Sequence, residues 1–86
     1  MPQLYATVRS SRLYRFATWN VGSLTKRSLE VAEALERRKV VVACLQEVRW
    51  KGSGTRMIGN FKAFWEGGRS GVAGVGILVD REWIDF

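Results

Sequence analysis

Two oxygen-bearing side chains close apolar runs, and both raise the question of what they bind. Asn20 lies with Trp19 and Val21 at the end of "LYRFATWNV", and Glu47 lies with Gln46 and Val48 at the end of the apolar run in "VVACLQEVRW". Burying an unpaired carboxylate at the mouth of a core strand is expensive, so either the strand surfaces there or the charge is kept at that edge for a ligand. A carboxylate beside a carboxamide is a hard-oxygen pair. It suits Mg²⁺, with Mn²⁺ as a substitute, because Mg²⁺ keeps several waters and takes one or two carboxylates near substrate phosphates. Sites built from sulfur or imidazole are excluded for want of ligands, since the chain has one cysteine and no histidine. The missing histidine also removes the usual general base near neutral pH. A second reading of the same pair needs no ligand: Asn20 caps the turn before Gly22, and Glu47 pairs with Arg49 or Lys51 at the surface.

For Asn20 and Glu47 to meet, the segments between them must fold the chain back. "LYRFATWNV" is rich in aromatic and β-branched residues and stops at Gly22, which predicts a strand and a turn. "SLTKRSLEVAEALERRK" predicts a helix, with Ser28 as N-cap, Leu29, Ala32 and Leu35 on one apolar face, and Arg37, Arg38 and Lys39 where the helix dipole favours cations. "VVVACLQEV" is apolar without alternation, as parallel strands covered on both faces tend to be. Strand, helix and strand form a βαβ unit with a right-handed crossover. Ligands gather beyond the carboxyl ends of such parallel strands, which is where Asn20 and Glu47 fall.

Beyond that unit, "KGSGTRMIGN" reads as a polar loop, "FKAFWEG" as a short strand, "GGRSGVAG" as a turn and "VGILVDR" as a strand antiparallel to the previous one. Residues 1–12 read as a tail or a loosely attached strand, with the domain over 13–86. "EWIDF" is too short to assign. "KGSGT" is no phosphate-cradling Walker loop, and "GVAGVG" lacks the dinucleotide fingerprint; Gly76 there permits close backbone approach. The order is β-α-β-β-β, an α/β fold. A parallel pair needs cover on both faces and one helix covers one, so the fold is incomplete as given and requires further chain or a partner.

Composition sets the partners. Fourteen Lys and Arg against eight Asp and Glu give 86 residues a net charge of +6, which favours anionic partners, nucleic acid above all, or else is a solvated basic surface. Arg49, Lys51 and Arg56 near the Glu47 edge are candidates for phosphate contacts, with solvated charge as the alternative. Trp50 and Trp65 serve packing, with base stacking as the other use. Cys44 sits between Ala43 and Leu45, so it reads as core packing; a single cysteine forms no disulfide framework and fits a reducing, intracellular compartment. The longest apolar run, residues 40–45, is too short to cross a membrane, and Arg9, Arg12 and Arg15 interrupt any signal-peptide pattern.

"TWNVGSL" at 18–24, "LQEVRWKGSG" at 45–54 and "GVGILV" at 74–79, in that order and spacing, resemble the opening segments of the endonuclease/exonuclease/phosphatase family, which includes apurinic endonucleases and deoxyribonuclease I. The resemblance covers about residues 15–86. The wording "EVRWKGSG" is most similar to endonuclease domains of non-LTR retrotransposons and to related proteins called craniofacial development protein 2-like.

The resemblance implies the amino-terminal part of a four-layer sandwich, two packed mixed sheets with helices outside, and a Mg²⁺-dependent DNA endonuclease acting in the nucleus. It implies that Asn20 lies in the metal and phosphate site, that Glu47 is a metal ligand and that Gln46 supports it. The family's later aspartate and asparagine pair and its final aspartate and histidine have no match; Asp80 and Asp85 do not fall at those positions. The resemblance therefore implies a chain that does not turn over alone. The alternative is a basic, nucleic-acid-binding remnant that does not cut.

Overall fold

The computed structural model describes residues 4–10, 15–69, 71 and 73–84. The remaining positions of the expected tail and first strand, Leu13 and Tyr14 among them, lie outside the described residues, as does Asp85. A mixed sheet is built from β1 (Leu4–Ser10), β2 (Arg15–Asn20), β3 (Val42–Gln46), β4 (Ser53–Ile58), β5 (Phe61–Glu66) and β6 (Val75–Asp80). One helix, α1 (Ser28–Arg37), connects β2 to β3, and a 3₁₀ turn covers Arg81–Trp83. The sheet order is β1-β2-β3-β6-β5-β4.

The βαβ unit is present: β2 and β3 pair in parallel, from Phe16 opposite Val42 to Asn20 opposite Gln46. Every other pairing is antiparallel, including β5 with β6. Two strands join the expected order. Leu4–Ser10 forms the edge strand beside β2. Ser53–Ile58, read from sequence as part of a loop, is the opposite edge strand, turning through Gly59 (φ 58) into β5. Its polar composition suits an edge, where one side has no partner strand and little is buried; only Ile58 of β4 is buried.

Alternation decides which residues make the core. Ala17, Trp19, Ala43, Leu45, Ala63 and Leu78 are buried together with Val31, Ala32, Ala34 and Leu35 of α1. Among the described residues no helix lies over the opposite face, and the expectations for Cys44 and β3 change accordingly. Cys44 is exposed rather than core, because it points away from Ala43 and Leu45 on the uncovered face. The apolar run of β3 reflects cover on one side only. On α1, Ala32 and Leu35 are buried but Leu29 is 54% exposed, because it overhangs the Gly59 turn rather than the sheet. The helix also begins differently. Ser28 is its first residue, Arg27 is the flanking one, and no side chain caps the N-terminus. At the other end Lys39 takes the left-handed conformation (φ 58) that stops helices, where glycine is the common choice.

Candidate functional site

The parallel β2–β3 pair sets the site, because parallel strands deliver both carboxyl ends to one rim. Asn20 and Gln46 are register partners there, and Glu47 follows immediately. The two segments stay joined past the strands: Val21 N–H donates to the Gln46 carbonyl (3.1 Å) and Leu24 N–H to the Val48 carbonyl (2.9 Å). Arg27 braces the first loop by donating from Nη1 to the Val21 carbonyl at 2.9 Å. Gln46 Nε2 donates to Thr18 Oγ1 at 2.9 Å, tying the two strands on the uncovered face.

Asn20 and Glu47 share this rim, and each also makes the local contact of the ligand-free reading. Asn20 Oδ1 accepts from Gly22 N–H at 3.1 Å, closing a short turn. Glu47 Oε1 accepts from Arg49 Nη2 at 3.2 Å, with the two side chains 39% and 46% exposed. Both Glu47 and Arg49 hold positive φ, 59° and 58°. Left-handed backbone at a non-glycine residue persists where surrounding structure over-determines it.

That surrounding structure is the glycine-rich segment 67–74. Arg49 N–H donates to the Ala73 carbonyl (2.7 Å), Val48 N–H to the Gly74 carbonyl (3.3 Å), and Gly52 and Gly67 to Gly68 and Gly52 carbonyls at 2.6 Å each. Gly67 makes this possible, since a Cβ there would overlap the Trp50 carbonyl. The close approach expected at Gly76 is present in milder form, with a Cβ position 3.3 Å from the Phe64 carbonyl. This brace was missed from sequence, where its signal was only the density of glycine between two strands.

The basic and aromatic candidates gather beyond Arg49. Trp50 and Trp65 meet edge to face, centroids 4.9 Å apart at 76°, and both pack partly buried against the core. Arg56 lies over Trp50, its Cζ 4.3 Å from the ring centroid. Trp65 Nε1 donates to the Lys51 carbonyl, while the Lys51 side chain is exposed. The structure thus places Arg49 on Glu47, Arg56 on Trp50 and Lys51 toward solvent.

The sequence model of the endonuclease/exonuclease/phosphatase family matches residues 17–86. The chain belongs to this family. It is a family of nuclease- and phosphatase-type hydrolases, generally dependent on divalent metal, and the six-stranded sheet with one helix is consistent with part of its α/β sandwich. No curated protein and no solved structure matches the chain. A metal's donor requirements fit this rim in part: a hard divalent cation takes oxygen ligands, and the rim offers the Glu47 carboxylate beside the Asn20 and Gln46 carboxamides, with Glu66 farther along the same edge through Val75. Among the described residues there is no cluster of three or more acidic or cysteine side chains that would hold a metal by themselves. Asp80 is spent elsewhere, its side chain accepting from Glu82 N–H at 2.9 Å. No helix among the described residues is long and apolar enough to cross a membrane.

Proposed function

We propose that this chain supplies the amino-terminal part of a Mg²⁺-dependent DNA endonuclease. The observation carrying the reading is the parallel register that sets Asn20 beside Gln46, one residue before Glu47, in a chain of a metal-dependent hydrolase family. Glu47 would hold Mg²⁺, with Mn²⁺ as substitute, and Asn20 would orient the phosphate or a metal-bound ligand from the adjoining strand. When bound, the cation supplies charge neutralisation at a phosphodiester oxygen. Arg49, Lys51 and Arg56 would meet flanking phosphates. The wording "EVRWKGSG" supports a retrotransposon-type origin, in the group called craniofacial development protein 2-like, and a DNA substrate supports a nuclear setting.

Glu47 alone does not complete such a centre, the described residues hold no cluster of three or more acidic or cysteine side chains, and no histidine is present to handle the attacking water. We therefore expect the 86-residue chain to bind DNA without cutting it, and a protein that adds the family's later aspartates and histidine to nick supercoiled plasmid with Mg²⁺. In that longer protein Glu47→Gln should reduce nicking by at least about a hundredfold, the range seen when a group stabilising transition-state charge is removed. Undiminished nicking would refute the metal role of Glu47.

The second reading, a remnant that binds nucleic acid only, is favoured by one feature: Asn20 and Glu47 are each engaged by near neighbours, Gly22 and Arg49. The same plasmid assay separates the two, because under this reading restoring the later elements yields no nicking.

A further inference from the structure

The Glu47–Arg49 contact is held by the backbone and not only by the two side chains. Val48 between them is fully buried, its N–H and carbonyl both bonded, to Gly74 and Leu24. Arg49 N–H is fixed on Ala73. With the anchor inward and the flanking residues both left-handed, the carboxylate and the guanidinium are brought out side by side, 3.2 Å apart. Arg49 thus occupies a carboxylate oxygen of the acidic side chain that directly follows the β2–β3 parallel pair.

We propose that Arg49 competes with a divalent cation for Glu47 and is displaced toward the anionic ligand when the cation binds. The inference rests on the reading of Glu47 as a metal-holding side chain. A guanidinium neutralises the carboxylate in the cation-free chain, but a divalent ion at the same oxygen brings two positive charges into close repulsion. The pair is half exposed, so it is weak enough to open, unlike a buried ion pair whose separation strands a charge. Release of Arg49 then adds a cation to the surface that meets phosphate. Metal binding and DNA binding are coupled as a result, and each strengthens the other by the same factor.

The test measures Mn²⁺ binding to the 86-residue chain by the electron paramagnetic resonance signal of free Mn²⁺. Arg49→Gln should bind about twofold to fivefold more tightly than the wild-type chain, the size expected for an exposed pair, and the gain should shrink in high salt. Arg49→Lys, which keeps the charge, should stay near the wild type. Damage to the fold lowers affinity, so a rise reports the loss of the Arg49 charge, and the resonance of the Arg49 side chain separates displacement from through-space repulsion. If Arg49→Gln binds no better than wild type, competition is overturned, while loss of binding in Glu47→Gln leaves the metal reading standing. If Glu47→Gln binds as wild type does, the metal reading itself fails and the competition with it. Independently, the Arg49 Nε–Hε resonance of the wild-type chain should move on Mg²⁺ titration, and a signal unmoved at saturation would count against displacement.

Discussion

Arg49, Lys51 and Arg56 differ in how much each is free to give a ligand. Arg49 is engaged by Glu47, and the Arg56 guanidinium lies over the Trp50 ring, a cation–π contact that restricts the side chain. Lys51 has an exposed side chain on a backbone tied to Trp65. A preoriented guanidinium loses less rotamer freedom on meeting phosphate than a mobile ammonium does. Each residue that contacts a phosphate contributes about 0.9 to the slope of log K against log salt on duplex DNA. Replacing Arg56 or Lys51 by alanine should lower that slope by roughly 1 each, measured by fluorescence anisotropy across a salt series. An unchanged slope would mark the residue as solvated charge. Asn20 and Glu47 could be paired from sequence alone because a crossover between parallel strands fixes which ends meet. Their local partners were foreseeable too, since both contacts span two residues. The Arg56–Trp50 stack was not foreseeable, because it depends on β4 being a strand at all.

The elements divide along the same line. β2, α1, β3, β5 and β6 carry apolar spacing strong enough to be read, because each buries side chains in one core. β4 buries only Ile58, so its sequence resembles a loop, and its pairing with β5 comes from backbone hydrogen bonds that composition does not record. Cys44 was misassigned for a related reason: an apolar run tells that a strand can be covered, not that it is. The segment 67–74 shows the limit most sharply. Its described residues hold the loop bearing Glu47 through main-chain hydrogen bonds, which glycine permits and composition does not announce. Gly67→Ala should therefore destabilise the chain by about 2 to 3 kcal/mol, as overpacking against rigid backbone does. Urea unfolding would measure this, and the amide resonances of Trp50 and Gly52 should shift with it. A neutral substitution would mean that the two loops are not braced against each other.

Among the described residues, six strands with one helix leave a sheet face whose chemistry argues that something covers it. Thr18, Cys44, Ile77, Phe64 and Thr55 form a continuous row across β2, β3, β6, β5 and β4 by register. Val75, Ile77 and Met57 are among the large apolar side chains exposed to water, which a monomeric domain ordinarily keeps few and scattered. Glu47, Arg49, Lys51 and Arg56 do not lie on this row, and Lys62, beside it on the same face, has its Nζ 5.5 Å from the Phe64 ring centroid, so the face is suited to packing against a second layer. A sandwich whose other sheet lies here satisfies both the apolar row and the family to which the chain belongs. Cys44 sits in the middle of the row and reports on its cover. In the 86-residue chain its thiol should react with an aromatic disulfide under native conditions within roughly tenfold of the rate of a free thiol, since no unfolding has to precede attack. In a protein that carries the family's remaining elements the same thiol should slow by at least about a hundredfold, because reaction then waits on an opening that costs some 3 kcal/mol. Equal rates in the two proteins would place the second layer elsewhere, and the apolar row would then need a different partner.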